Sequence, residues 1–313
     1  FSTAGNWSPV RQIGLVNDIL VFETGSILNV INVNQVTIGQ LVIRNNTSIT
    51  FSPSAGNPTC ITIKGNPGED LIVESGSSLR ILGNDPMLYV YVGAGATASV
   101  SGLLIFEGQA ANNLNSSDAM AIRFKSGSSF SQLCPGNVFT SSGTGNAVVF
   151  EKGSMFKINH SNALSPFGLP APNSKVLFED RSKLKISAIH TLQLSGRIFS
   201  DLDIEPNANL VISESFTAHS TFGSIRVKQN GSLIIANTNS AFISAFNIHG
   251  DLSSDGTFGF TVNYNNKIDV KLNGSVQQSI SGNGIISLPA NLKGFTVDND
   301  IKLYRDLLVR CTY

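Results

Sequence analysis

The chain has 313 residues, with 21 Lys plus Arg against 21 Asp plus Glu and only 13% charged residues. That neutral, sparsely charged balance excludes the basic stripe of a nucleic-acid binder and the polybasic patch of a membrane-surface protein. Forty Ser, 31 Asn and 29 Gly beside 41% hydrophobic residues favour strands and turns over helices and over disorder.

In chain order, residues 1–24 read as an N-terminal cap and first rung. Trp7, the single tryptophan, caps that rung with its large apolar area. A short pattern then recurs: a polar or acidic residue, a spacer, Gly or Asn, Ser or Ala, then alternating apolar residues. It runs Glu23-Thr24-Gly25-Ser26, Glu74-Ser75-Gly76-Ser77, Lys125-Ser126-Gly127-Ser128 and Glu151-Lys152-Gly153-Ser154. Looser copies are Glu179-Asp180-Arg181-Ser182, Glu205-Pro206-Asn207-Ala208, Asn230-Gly231-Ser232 and Asn273-Gly274-Ser275. Third positions at 127, 153, 181 and 207 set the central copies about 26 residues apart, and the early spacing of 51 is two steps. A period in this range marks a solenoid or array.

Period-two stretches such as Val176-Leu177-Phe178, Leu184-Lys185-Ile186 and Leu192-Gln193-Leu194 are strand signals, and no window sustains helical spacing. The sequence therefore predicts an all-β parallel β-helix in one domain over residues 1–313. It predicts roughly twelve rungs of about 26 residues, right-handed by the usual preference of parallel crossovers. Gly and Asn supply the positive-φ corners. Residues 84–119 and 161–174, the latter with Pro166, Pro170 and Pro172, read as loops leaving the solenoid.

Candidate sites are few. Tyr89 and Tyr91 alternate onto one face and are the aromatic pair best suited to a glycan. Alternation also puts Asp201, Asp203 and Glu205 on one face, a set of carboxylates able to bind Ca2+ and otherwise a solvated face. Arg226-Val227-Lys228 and His249-Gly250-Asp251 are fragments of the kind seen in pectin-degrading β-helix hydrolases, without the paired aspartates those need. His160, His190, His219 and His249 drift relative to the rungs and read as surface or corner residues. Cys60, Cys134 and Cys311 fit no zinc or redox spacing and read as small buried hydrophobes. No nucleophile elbow, phosphate loop or His-Glu-x-x-His motif is present, and no catalytic residue is assigned.

The opening block Ser2-Thr3-Ala4-Gly5-Asn6-Trp7-Ser8-Pro9, with Asn17-Asp18-Ile19-Leu20-Val21-Phe22 and Ile38-Gly39-Gln40-Leu41-Val42-Ile43, carries a resemblance over roughly residues 1–85. It resembles the head of large secreted repeat proteins of Bacteroidota, many of them type 9 secretion cargo displayed on the cell surface. The resemblance implies a non-enzymatic, extracellular, adhesin-like β-helix module. It also implies that the module belongs to a longer secreted protein or surface assembly, with surface glycans or other cell-surface proteins as partners. It carries over no catalytic residue, and no cofactor is expected beyond the candidate Ca2+ at Asp201, Asp203 and Glu205. The alternative is a polysaccharide-binding or polysaccharide-degrading β-helix protein. Residues Leu307-Leu308-Val309-Arg310-Cys311-Thr312-Tyr313 read as the middle of a strand, so a capping partner or further chain is expected at that end.

Overall fold

The computed structural model describes residue 8 and residues 15–304, apart from 66–67, 141–144, 164–166, 169–172, 193–197, 215–219, 238–242, 263–266, 289–293 and 299. The cap expected at Trp7, Pro166, Pro170 and Pro172, His219, Cys311 and the strand expected at 307–313 lie outside the described residues. All regular elements among the described residues are strands. The chain packs as two compact units, Phe1–Gly168 with Lys175–Leu177, and Leu169–Ser174 with Phe178–Tyr313.

In the first unit the chain visits three sheets per turn. The first turn is β1 (Ile19–Phe22), β2 (Ile27–Val33) and β3 (Val36–Ile38). The second is β4 (Gln40–Ile43), β5 (Ser48–Pro53) and β6 (Thr59–Ile63). The third is β7 (Glu69–Val73), β8 (Ser78–Leu82) and β9 (Leu88–Val92), and the fourth β10 (Thr97–Val100), β11 (Leu103–Glu107) and β12 (Asn113–Ser116). Then come β13 (Ile122–Phe124) with β14 (Ser129–Leu133), β15 (Val148–Phe150) with β16 (Met155–Ile158), and β17 (Val176–Phe178). Strands one turn apart pair in parallel, in the orders β1-β4-β7-β10-β13-β15-β17, β2-β5-β8-β11-β14-β16 and β3-β6-β9-β12.

The second unit repeats the plan with β18 (Lys183–Ile186), β19 (Ile189–Leu192), β20 (Asp201–Ile204), β21 (Asn209–Glu214) and β22 (Ser220–Phe222). It continues with β23 (Ile225–Val227), β24 (Ser232–Asn237), β25 (Ile243–Ile248), β26 (Leu252–Ser254), β27 (Thr257–Val262) and β28 (Lys267–Leu272). It ends with β29 (Gln278–Ser281), β30 (Ile285–Ile286), β31 (Gly294–Val297) and β32 (Ile301–Leu303). The pairing orders are β18-β20-β23-β26-β29-β32, β19-β21-β24-β27-β30 and β22-β25-β28-β31.

The fold is a parallel β-solenoid, as the period implies. The steps are uneven: Leu41 pairs with Leu71, 30 residues on, and Leu184 with Leu202, 18 residues on. Turns with all three described strands are therefore fewer than the roughly twelve expected from a uniform 26. Residues 84–119 do not leave the solenoid; they form β9 to β12, in register with their neighbours. The alternation Leu88/Val90/Val92, Leu104/Phe106 and Leu114 points these residues inward, and burying each is worth ~1.5–3 kcal/mol. That outweighs the local Gly/Ala and Asn/Ser composition.

The repeat pattern is a turn. Its fourth residue donates its N–H to the carbonyl of the first: Ser77 to Glu74, Ser128 to Lys125 and Ser154 to Glu151, at 2.9–3.0 Å. The third residue sits at positive φ, +80° to +81° in Gly76, Gly127 and Gly153, and +58° in Arg181. In these copies the turn leads into β8, β14, β16 and β18. Glu205–Ala208 and the turn Lys228–Gly231 lead instead into β21 and β24, in a different sheet. The pattern thus changes corner after Ser182, where the step is shortest.

Inward side chains stack in columns. Ile49, Leu79, Leu104, Phe130 and Phe156 form one such column. Phe124 and Phe150 stack at 4.4 Å and 4°. In the second unit Phe199 stacks on Phe222 at 5.1 Å, and Phe222 meets Phe246 at 4.9 Å.

Candidate functional site

Two surfaces of the first unit bring chemistry together. The outward face of the third sheet is one. Tyr89 pairs with Cys60 and Asn113, and Tyr91 with Thr62 and Asn115. All six are half-buried. Strand alternation places them outward, because Ile61, Val90 and Leu114 between them are buried. The two tyrosines expected at a glycan contact thus lie side by side, flanked by a Cys/Thr row and an Asn row. Cys60 is half-exposed on this face, not buried, because it occupies an outward position of β6.

The second surface is a groove of about 590 Å3 at the corner following β8, β11, β14 and β16. Its apolar part is Leu82, Leu133 and Pro135. Leu82, Glu107 and Leu133 are register partners at the ends of their strands, so the carboxylate lies between two leucines. Asn84, Gln109, His160 and Asn162 supply the polar part. Glu107 is ion-paired with Arg80 of β8. His160 Nδ1 accepts the Asn162 N–H at 3.1 Å, which leaves the proton of the neutral ring on Nε2.

The corner behind the groove is fastened by amides at inward positions. Asn112 is fully buried; its Oδ1 accepts the Leu88 N–H at 2.9 Å, and its Nδ2 donates to the Glu107 carbonyl at 3.0 Å. Gln132, equally buried, donates from Nε2 to the carbonyls of Cys134 and Gly136 at 3.3 and 2.9 Å. Gly108 has φ +108°, and a Cβ there would lie 2.3 Å from the Gly83 carbonyl oxygen. Only glycine lets the groove loop lie this close to the turn beneath it. Sequence reasoning missed this site because it took the segment for a loop. The legible signal was an amide where the alternation calls for an apolar residue, at Asn112 and Gln132.

The acidic strand of the second unit is a charge ladder. Asp203 meets Lys183 at 3.1 Å. Glu205 meets Lys185 at 3.1 Å and Lys228 at 2.7 Å. Asp201 accepts the Ser224 N–H at 2.9 Å. Partial burial works against ionisation of Glu205, but the hydrogen bonds and charges of Lys228 and Lys185 prevail and hold its carboxyl below the usual range. The same balance holds Glu151 low beside Arg123 and Lys125. Asp201, Asp203 and Glu205 are therefore not a calcium cluster. Lysines of the neighbouring turns occupy Asp203 and Glu205, a backbone N–H occupies Asp201, and among the described residues no His/Cys/Asp/Glu group could hold a metal. Asp201 and Asp203 lie on β20 and Glu205 just past its end, but alternation carries no information about strands one turn away.

The remaining candidates separate. Arg226 is exposed on β23, and the Asp251 carboxylate accepts the Ser279 N–H at 2.7 Å. His249 is an exposed corner residue, but His190 is not; it is buried at an inward position of β19, over Leu210. Cys134 is buried, and burial pushes its thiol up to about 12 against the opposing hydrogen bonds from Asn112. No family model, curated protein or solved structure matches the chain.

Proposed function

We propose that the chain is a non-enzymatic, extracellular, adhesin-like β-solenoid module that presents polar faces to surface glycans or cell-surface proteins. On this reading it is part of a longer secreted protein or assembly. The observation that supports it most is the fate of the outward carboxylates. Polysaccharide hydrolysis by two carboxyls requires one of them to be held protonated. Here Glu107, Glu151, Asp203 and Glu205 are each ion-paired with Arg or Lys, and the two whose acidity shifts, Glu151 and Glu205, are held ionised. Cross-rung ion pairs of this kind fit a surface used for display.

The experiment has two parts. The purified chain is incubated with neutral and uronate polysaccharides, and new reducing ends and unsaturated uronate absorbance are measured. No product is expected, and turnover on any of them removes the non-enzymatic reading. The native protein is then located by fractionation of its source cells and weighed intact. Recovery from the surface or medium, at a mass well above 33.2 kDa, is expected. Recovery from the cytoplasm removes the adhesin reading.

A further inference from the structure

We infer that the corner groove of the first unit is a binding site for a neutral oligosaccharide. The inference rests on the non-enzymatic reading only in that the sugar is held and not cut.

Charge is the first argument. Among the described residues, Glu107 is the only charged side chain lining the groove, and Arg80 neutralises it. Among the described lining residues no Lys or Arg offers itself to a phosphate, sulfate or uronate, and no uncompensated carboxylate to a cation or amine. Chemistry is the second. A sugar ring offers a C–H face and a rim of hydroxyls that both donate and accept. Leu82, Leu133 and Pro135 suit the face. The amides of Asn84, Gln109 and Asn162 each both donate and accept, and the His160 Nε2–H adds a donor. A nonpolar ligand would offer no partner to the side-chain amides of Gln109 and Asn162 or to the His160 Nε2–H.

Size and rigidity are the third. About 590 Å3 lies within the ~300–1,000 Å3 of small-molecule sites. From the β8 corner to the β16 corner is three rung steps of ~4.8 Å, or ~14 Å, so the groove takes more than one monosaccharide. Asn112 and Gln132 fix the backbone behind it, so little ordering remains to oppose binding.

The test is titration calorimetry of the full chain with cellotetraose, maltotetraose and mannotetraose, beside tetragalacturonate. At least one neutral tetrasaccharide binds at millimolar concentration or below, and tetragalacturonate binds at least tenfold more weakly. The double variant Gln109→Ala/Asn162→Ala loses tenfold or more in affinity. Both residues are exposed, and the hydrogen bonds they make run through the backbone, the Gln109 N–H, the Asn162 N–H and the Asn162 carbonyl, so the melting temperature is unchanged. Tyr89→Ala/Tyr91→Ala changes the affinity less than twofold. Absence of neutral-sugar binding, preference for the uronate, or unchanged affinity in the groove variant overturns the inference. Loss of binding in the tyrosine variant alone also overturns it, and moves the ligand to the third-sheet face while leaving the adhesin reading in place.

Discussion

Lys228, following β23, donates to Glu205 at 2.7 Å, while Lys185 on β18 approaches the same Oε1 atom at 3.1 Å. One carboxylate thus joins three successive turns of the second unit. Its folded-state pKa lies below its unfolded value, so its stabilisation is present above the ordinary carboxylate range. It is lost as pH falls through the depressed folded value. Glu205→Gln is expected to cost about 1 kcal/mol at pH 7, the upper end for a surface pair. The cost shrinks as pH drops below ~4, where the unfolded Glu protonates. Urea unfolding of both proteins from pH 7 to pH 3 measures it; a difference independent of pH rejects the ion-pair account.

The turns allow backbone strain to be separated from steric clash. Gly127 has φ +81° with open space where a Cβ would go. Gly127→Ala therefore costs only the left-handed penalty, ~1–2 kcal/mol. Gly102 has no such φ, but a Cβ there would lie 2.2 Å from the Ser77 carbonyl oxygen and 2.3 Å from that of Glu74. Gly102→Ala displaces a turn and is expected to cost more than Gly127→Ala. Arg181 sits at +58° in the equivalent turn with an exposed side chain, so Arg181→Gly is expected to gain about 0.5 kcal/mol, the strain relieved less the added entropy of glycine. Denaturant midpoints rank the three; the reverse order for the two alanine variants refutes the distinction.

Much of this was legible in the residues themselves. The Glu-x-Gly-Ser pattern encodes the turn, since Gly76, Gly127 and Gly153 mark the positive-φ residue, the following Ser closes the turn, and the next strand begins one residue later at Ser78, Ser129 and Met155. Arg44-Asn45-Asn46-Thr47 closes with the same first-to-fourth hydrogen bond in a different turn, with both asparagines left-handed, and escaped notice because it lacks the acid and the glycine. The groove was hidden for a different reason. Its walls come from four turns, and which corner loops face one another depends on register, including the 25 residues from Leu79 to Leu104 and the 26 from Leu104 to Phe130. The ion pairs of Asp203 and Glu205 depend on register in the same way, through Lys183, Lys185 and Lys228.

Phe130 lies at the centre of the first unit's aromatic core. Its ring centroid is 5.2 Å from those of Phe106, Phe139 and Phe156. Phe130→Ala leaves a cavity that the flanking rings, Phe106 and Phe156 on strands and Phe139 on a turn, cannot close, and ~3–5 kcal/mol of stability is expected to go. Phe130→Leu keeps most of the volume and should cost less than half of that. Equilibrium denaturation decides; equal losses mean that the site collapses and the column is not rigidly packed.

Gln278 closes a corner of the second unit. Its Oε1 accepts the Gly274 N–H at 2.8 Å, and its Nε2 donates to the carbonyls of Ile248 and Gly250 at 2.9 and 2.6 Å. Gln278→Leu keeps the size but removes three side-chain hydrogen bonds to backbone groups at a buried position, although the Ile248 carbonyl keeps the Asn273 N–H at 3.1 Å, and a loss of ~2 kcal/mol is expected. Gln278→Glu retains the acceptor for Gly274 while turning two donors into a charge facing carbonyls, so it is expected to be no better. Hydrogen exchange at Gly274 separates the two: its amide is deprotected in Gln278→Leu and stays protected in Gln278→Glu. Protection retained in both rejects the clamp.

The two described cysteines give the most direct check on inward and outward assignment. Cys60 alternates outward on β6 and stays half-exposed, with its Sγ 3.5 Å from Thr62 Oγ1. Cys134 is buried and its thiol is raised to about 12, so at pH 8 it presents neither access nor thiolate. Brief treatment of the folded chain with iodoacetamide at pH 8, followed by peptide mapping, is expected to label the peptide bearing Cys60 and spare the one bearing Cys134. In denaturant both label. The order distinguishes burial from pairing: a Cys134 that stays unlabelled in denaturant without reductant is bonded, whereas one that reacts on unfolding was protected by the corner it helps to fill. Native labelling of Cys134 at the rate of Cys60 would mean that this corner opens, and with it the wall of the groove that Gln132 fastens to the Cys134 carbonyl.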